Sequence, residues 1–318
     1  MTLNDTSYNS ELGARRSRAT VASGYVLITP VRNEEKTIGT TIRSVIRQTL
    51  PPKEWVIVSD ASTDRTDDIV TEYASKAPFI RLLRLPQRHG HSFSSVVYAT
   101  EAGINAIETD HYEFIGLLDG DVAFEETYYE ALLQRFAGDP QLGLAGGLVI
   151  DCIDGKKQRA VQSLRDVAGA VQFFRRECFE AIGKLLPIPE GGWDAITCVR
   201  ARMSGFNTRT FQELEIQHLK PRNVAAGNIL KRTWQLGIRE YAVGNHPLFE
   251  LAKCFYRCVE YPYVINGFLR LGGYVWCHLM RRKRLLPTET IQFIHSEQLG
   301  RLFRWPVGKI TTRKLSLP

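Results

Sequence analysis

Three short, mostly apolar runs, Tyr25–Thr29, Trp55–Val58 and Phe114–Leu118, and a further strand near Ile80–Leu85 alternate with stretches whose apolar residues recur at helical spacing. This alternation most constrains the fold, because strands separated by helices must pair in parallel across right-handed crossovers. In the first crossover Ile38, Ile42, Val45, Ile46 and Leu50 lie on one helical face, Asn33 is the expected N-cap, Glu34 and Glu35 fall in the first turn, and Pro51-Pro52 stops the helix. Ile69, Val70 and Tyr73 mark a second helix, and residues 92–107 a third. The expectation is an α/β domain with a doubly wound, mostly parallel sheet. Its strands end on one edge, so the loops after Thr29, Asp60 and Asp119 should converge although they lie far apart in the chain.

The fourth strand breaks on Asp119-Gly120-Asp121. Asp-Gly is ordinary turn chemistry. Two carboxylates at the ligand-binding edge of an open sheet also repel unless a cation lies between them, and a hard divalent ion shared with phosphate oxygens fits that position. Both readings stand on this stretch alone. The first strand leads into Pro30-Val-Arg-Asn-Glu-Glu35 without a glycine, which excludes the dinucleotide fingerprint of a dehydrogenase. No Gly-x-x-x-x-Gly-Lys occurs either. Phosphates would therefore be met by a metal on carboxylates rather than by a glycine-rich backbone cradle.

Two later segments carry chemistry-bearing residues. Glu190-Gly-Gly-Trp-Asp194 delivers Trp193 and Asp194 to the start of a helix over 195–204, where Asp194 reads as an N-cap. The alternating strand Phe211–Ile216 ends on Gln217-His218, which by itself reads as a surface histidine after a strand. Gly143–Ile150 is a strand rich in small residues, suited to close backbone approach.

Ile28-Thr-Pro-Val-Arg-Asn-Glu-Glu35, Val58-Ser-Asp-Ala-Ser-Thr-Asp-Arg-Thr66 and Leu118-Asp-Gly-Asp121, in that order, resemble a family-2 glycosyltransferase with the GT-A nucleotide-sugar-binding fold. The resemblance spans residues 24–222. It implies that Thr29, Pro30 and Asp60 hold a uracil-type base, with Arg32 where an aromatic often stacks. Asp119 would bridge ribose and metal, Asp121 would bind Mn2+ or Mg2+, and His218 would complete the metal or phosphate site. Arg88, in the loop after the third strand, would touch phosphate or remain a solvated arginine. Asp194 falls on the family's general base, but Trp193 and Ile196 stand where the family carries acidic residues. Asp64 reads as a cap for the helix over 66–74. The family's processive synthases carry Gln-x-x-Arg-Trp, whereas this chain has Arg232-Thr-Trp234, so polymerisation is not expected.

Charge divides the chain. Residues 1–218 hold 24 Lys and Arg against 29 Asp and Glu, and residues 219–318 hold 17 against 5. An acidic catalytic part and a basic final third imply different partners. The expected organisation is a polar tail over 1–23, a nucleotide-sugar-binding and catalytic domain over 24–222, and a mainly helical basic appendage over 223–318. The tail lacks a signal peptide's apolar segment, and no run of about 18 apolar residues crosses a bilayer. Six cysteines without a Cys-x-x-Cys pair suggest reduced thiols.

Aromatic residues from Phe255 to Trp276 followed by Arg281-Arg-Lys-Arg284 suit an anionic membrane surface. The chain has no nucleic-acid motif. The expectation is an inverting, metal-dependent transfer of one sugar from a nucleoside-diphosphate sugar, UDP-type favoured, in cell-surface polysaccharide or glycolipid synthesis. The enzyme would lie peripherally on the cytoplasmic face. A lipid-linked sugar acceptor would meet Trp193, Arg222, Lys231, Arg232 or Arg239. The alternative is a membrane-associated scaffold that keeps the fold without turnover.

Overall fold

The computed structural model describes residues 24–86, 94–153, 156–159, 163–220, 229–259 and 263–303. The chain divides into two compact units at Gly227/Asn228.

The first unit is built on one sheet. Its strands are β1 (Tyr25–Val31), β2 (Glu54–Asp60), β3 (Ile80–Leu85), β4 (Phe114–Leu118), β5 (Val122–Phe124), β6 (Leu142–Ile153), β7 (Lys156–Arg159), β8 (Val171–Arg175) and β9 (Asn207–His218). They run in the order β3-β2-β1-β4-β8-β6-β9-β5, with β7 on β6. The run β3-β2-β1-β4 is parallel, as the alternating pattern requires. Beyond it β8 pairs antiparallel with both β4 and β6, while β6 and β9 are parallel.

Helices α1 (Ile38–Ile46), α2 (Thr66–Ala74), α3 (Ser94–Asn105), α4 (Tyr128–Gly138), α5 (Arg176–Ile182) and α6 (Trp193–Met203) cover both faces. Strand alternation sorts the core between them. Tyr25, Leu27, Trp55, Ile57 and Phe173 join α1, α2 and α4 in one apolar layer. Val26, Ile28, Val56, Val58 and Phe174 join α3, α5 and α6 in the other. Burial on both faces accounts for the nearly unbroken apolar runs of β1, β2 and β4.

The first crossover differs from the expectation. Helix α1 begins at Ile38 with Thr37 before it, and Asn33 is not its cap. Asn33 adopts a positive φ of 52° and accepts from the Thr63 amide at 2.8 Å. The Glu34 amide donates to Thr66 Oγ1 at 2.7 Å and the Glu35 amide to Asp64 Oδ2 at 3.1 Å. Side chains of the β2–α2 loop thus occupy amides that a helix would otherwise leave for a cap. Asp64 also accepts from the Thr66 amide and hydroxyl, at 3.0 and 2.6 Å, so it ties the start of α2 to the opening loop.

The second unit holds α7 (Ile229–Ala242), α8 (Pro247–Arg257), α9 (Ile265–Leu279) and α10 (Thr288–Phe303). Among the described residues no helix is long and apolar enough to cross a membrane. Cys178, Cys198, Cys254, Cys258 and Cys277 are free thiols.

Candidate active site

The Asp119-Gly-Asp121 turn emerges from β4 between two fixed points. The Asp119 amide donates to the Ala170 carbonyl at 3.0 Å, and the Asp121 carbonyl accepts from the Leu219 amide at 2.8 Å. The intervening glycine is set by packing. A Cβ on Gly120 would lie 2.6 Å from Val31 Cγ1, so the opening loop and the carboxylate turn touch through this position.

Strand register brings in a third donor. In the β5–β9 pair Val122 lies opposite His218, and in the β6–β9 pair Asp151 lies opposite His218. The second pairing depends on an irregularity, since Gly147 faces Phe211 but Leu148 faces Glu215. Gln212, Glu213 and Leu214 bulge out of the ladder. An odd number of extra residues exchanges the two faces of a strand, which brings the histidine to the acidic turn.

One ligand atom each from Asp119, Asp121 and His218 lies within 4.8 Å of the others. His218 Nε2 is 3.5 Å from Asp121 Oδ1, and Nδ1 is 3.5 Å from Asp151 Oδ1. Nδ1 also abuts the Lys220 carbonyl. With two oxygens facing Nδ1, a proton on that nitrogen would leave Nε2 for a cation at the carboxylate turn. Two carboxylates and an imidazole oriented by its other nitrogen form a donor set that fits a divalent cation. Asp151 lacked any sequence signal, because its role depends on the β6–β9 slip. The Lys220–Glu34 ion pair was also unforeseen, and it ties the end of β9 to the opening loop.

Asp194 is the second residue of α6, whose N-cap is Gly192, so the capping reading does not hold. Its Oδ2 accepts from the Gly169 amide at 3.2 Å, and its carbonyl accepts from Gln172 Nε2 at 3.0 Å. Gln172 is fully buried on β8 beside Leu117 of β4. The two residues that depart from the resemblance turn inward. Ile196 is buried, and Trp193 packs on the apolar layer beneath, its ring against Gly169.

At the expected base subsite, Asp60 is buried and Arg32 approaches it, with Nη1 3.9 Å from Oδ2. Pro30 is half-buried beside them. Thr29 is a correction: it is fully buried and its hydroxyl accepts from Trp55 Nε1 at 2.9 Å, so it braces β1 against β2 and cannot touch a ligand. Arg88 and Arg222 lie outside the described residues. In the second unit, Lys231 is exposed on α7 and Arg239 pairs with Glu240 at 3.2 Å. Arg232 is half-buried, and burial together with the Arg239 cation lowers its pKa.

A doubly wound sheet that gathers paired acids, a histidine and a helix-borne aspartate at its strand ends defines a glycosyltransferase with the GT-A fold. Residues 26–191 match the sequence profile of Glycosyl transferase family 2, and the chain belongs to that family.

It is 22% identical over 171 residues to the poly-β-1,6-N-acetyl-D-glucosamine synthase of Staphylococcus epidermidis, a match covering 48% of this chain and 39% of the synthase. It is 32% identical over 120 residues to the uncharacterized glycosyltransferase EpsJ of Bacillus subtilis, covering 38% of this chain and 32% of EpsJ. The chain thus spans less than half the length of these relatives. Among solved structures, the mannosyltransferase PcManGT of Pyrobaculum calidifontis, in complex with GDP-Man and Mn2+, superposes with a TM-score of 0.52 at 17% identity, covering 92% of this chain and 88% of that one. S. aureus TarS 1-349 in complex with UDP-GlcNAc gives 0.51 at 14%, covering 87% and 80%. These likenesses concern the fold.

Proposed function

We propose that this enzyme moves one sugar, with inversion, from a nucleoside-diphosphate donor to an acceptor hydroxyl. The observation that carries the reading is the attachment of Asp119 and Asp194 to consecutive residues, Ala170 and Gly169. The backbone of the proposed leaving-group residue and the carboxylate of the proposed base are thereby held on adjacent residues, which supports placing both in one reaction centre.

Asp119, Asp121 and His218 would hold the divalent cation. When bound, that cation supplies positive charge to the departing diphosphate. An imidazole among the donors favours Mn2+ over Mg2+, which prefers oxygen. Asp60 and Arg32 would take the nucleotide base, by hydrogen bond and by guanidinium stacking. The Gly169 amide engages Asp194 Oδ2, and Oδ1 takes the acceptor hydroxyl's proton. The acceptor oxygen then attacks the anomeric carbon opposite the diphosphate, whose bond breaks with its electron pair leaving on the diphosphate oxygen. One displacement inverts the centre.

The acceptor we propose is a lipid-linked sugar, met at the cytoplasmic face of an anionic membrane during polysaccharide or glycolipid synthesis.

A thermal-shift screen of UDP, GDP and their sugars, with and without Mn2+ or Mg2+, tests the donor reading. Ligand at about 100 times its Kd stabilises the native state by roughly 2.7 kcal/mol. The expected result is a shift with a UDP-type ligand that grows with metal. No shift with any nucleotide overturns the reading.

A further inference from the structure

The second unit buries charge beside its apolar core. Among its described residues Tyr241, Tyr274 and Cys277 cluster with Ile238 packed against them, and Val243, Cys254, Leu286 and Ile294 are buried too. Charged residues lie inside with them. Glu250 is fully buried, Arg270 is 4% exposed and Glu240 is 5% exposed. Glu240 meets Arg270 at 3.1 Å and Lys253 at 2.8 Å, and Asn245 Nδ2 donates to both Glu240 and Glu250, at 2.7 and 2.8 Å.

Other apolar residues face outward in regular stripes. On α8, Leu248, Leu251 and Phe255 recur at i, i+3 and i+7, on the side away from buried Glu250 and Cys254. On α9, Phe268, Val275 and Leu279 recur at i, i+7 and i+11, away from Arg270 and Tyr274. Phe255 is 70% exposed, Phe268 67% and Leu279 70%. Helix contacts run through backbone. A Cβ on Gly237 of α7 would strike the Arg270 carbonyl, and one on Gly273 of α9 would strike the Trp234 carbonyl. Ion-paired charges inside, apolar side chains outside and glycines at the crossings suit helices whose solvent is lipid.

Charge fixes which lipid. Arg281, Arg282 and Lys283 follow α9 directly and are exposed. Arg284 differs, since its guanidinium lies 5.2 Å from the centroid of the Tyr241 ring. By residue count α8 and α9 extend roughly 16 and 22 Å, short of a hydrocarbon core about 30 Å thick.

We infer that the outward apolar stripes of α8 and α9 embed in one leaflet of an anionic bilayer, with Arg281, Arg282 and Lys283 on its headgroups. This deepens the membrane-side acceptor reading and stands apart from the chemistry of the first unit.

The test is flotation of the full chain with vesicles of phosphatidylcholine alone and with 30 mol% phosphatidylglycerol, with size-exclusion light scattering on the same samples. Two variants accompany the parent: R281Q/R282Q/K283Q, which spares Arg284, and F255Q/F268Q/L279Q. Circular dichroism and the nucleotide thermal shift report folding of each variant and read the donor site separately. Parent binding to the anionic vesicles, weakened by salt, is expected. About 1 kcal/mol per basic residue near an anionic surface is roughly fivefold in affinity, so the triple charge variant should lose on the order of 100-fold. The apolar variant should lose binding to both vesicle types. A parent that ignores anionic vesicles overturns the inference. A parent dimer that the apolar variant splits, without vesicle binding, would assign the face to a second copy and overturn it too. Equal binding by a folded apolar variant would also overturn it, leaving only charge attraction.

Discussion

Asp119 and Asp194 are fastened to consecutive residues: the Asp119 amide donates to the Ala170 carbonyl at 3.0 Å, and the Gly169 amide donates to Asp194 Oδ2 at 3.2 Å. Two aspartates 75 positions apart by their numbers are thus anchored on neighbouring residues of one turn.

Asp194→Asn separates the base from the scaffold. The amide oxygen can still accept from Gly169, but it takes no proton at neutral pH. Loss of a general base typically costs about 10²–10⁴-fold in rate. That loss is expected in kcat, with donor affinity nearly unchanged. Activity within a few-fold of the parent would restrict Asp194 to a structural role.

Asp121→Ala removes one of two repelling carboxylates and opens no cavity, since Asp121 is half-buried at a turn. The metal-dependent part of nucleotide-diphosphate binding should disappear in calorimetry, while the thermal midpoint without ligand holds. Persistent metal-dependent binding would move the cation elsewhere.

Asp151→Asn tests the orientation of His218. The Lys220 carbonyl remains, but Nδ1 loses its anionic neighbour. Partners behind a metal ligand are worth about 10–100-fold in metal affinity. An Mn2+ titration followed by EPR should show a loss near the lower end of that range. Unchanged affinity would leave Asp151 without a part in the site.

Gly120→Ala puts a methyl against Val31 at the junction of two site loops. Overpacking of this kind costs about 1–3 kcal/mol, measurable by denaturant unfolding. Nucleotide affinity should fall as well, because relief requires the opening loop to move. A variant equal to the parent in both would show that the loops yield freely.

The second unit should be acid-sensitive. Burial alone would raise the Glu240 carboxyl, but Lys253, Arg239 and Arg270 outweigh it and hold Glu240 well below the usual carboxylate range. A depressed folded-state value contributes stability above the unfolded carboxylate pKa of about 4.3, and that stability is lost as pH falls from there toward the folded value. Unfolding followed by the helical signal should lose stability across that window. Glu240→Gln should cost about 3–5 kcal/mol at neutral pH, by leaving buried cations uncompensated, and should flatten the acid dependence. An unchanged acid profile would contradict this account.

The sheet was legible because β1, β2 and β4 carry nearly unbroken apolar runs, a pattern that parallel strands buried on both faces impose. The carboxylate turn was legible because Asp-Gly-Asp follows such a strand directly. The start of α1 was misread because Asn33 and two glutamates mimic a capped first turn. What redirects them is Ser62 to Thr66, a loop some thirty residues on. Thr29 was assigned outward, although strand alternation with buried Trp55 as partner turns it in. Asp151 was invisible for a deeper reason. No local pattern reports which residue of β6 a slipped ladder will set against His218.

That slip makes the length of the Gln212–Leu214 bulge a reading frame for the metal centre. Removing one residue there would leave the strand's composition almost intact yet rotate His218 to the opposite face. The imidazole would then be lost to Asp121 and Asp151 together. The proposed cation dependence should therefore be erased by a deletion that touches none of the proposed ligands, and restored by an insertion elsewhere in the same three positions.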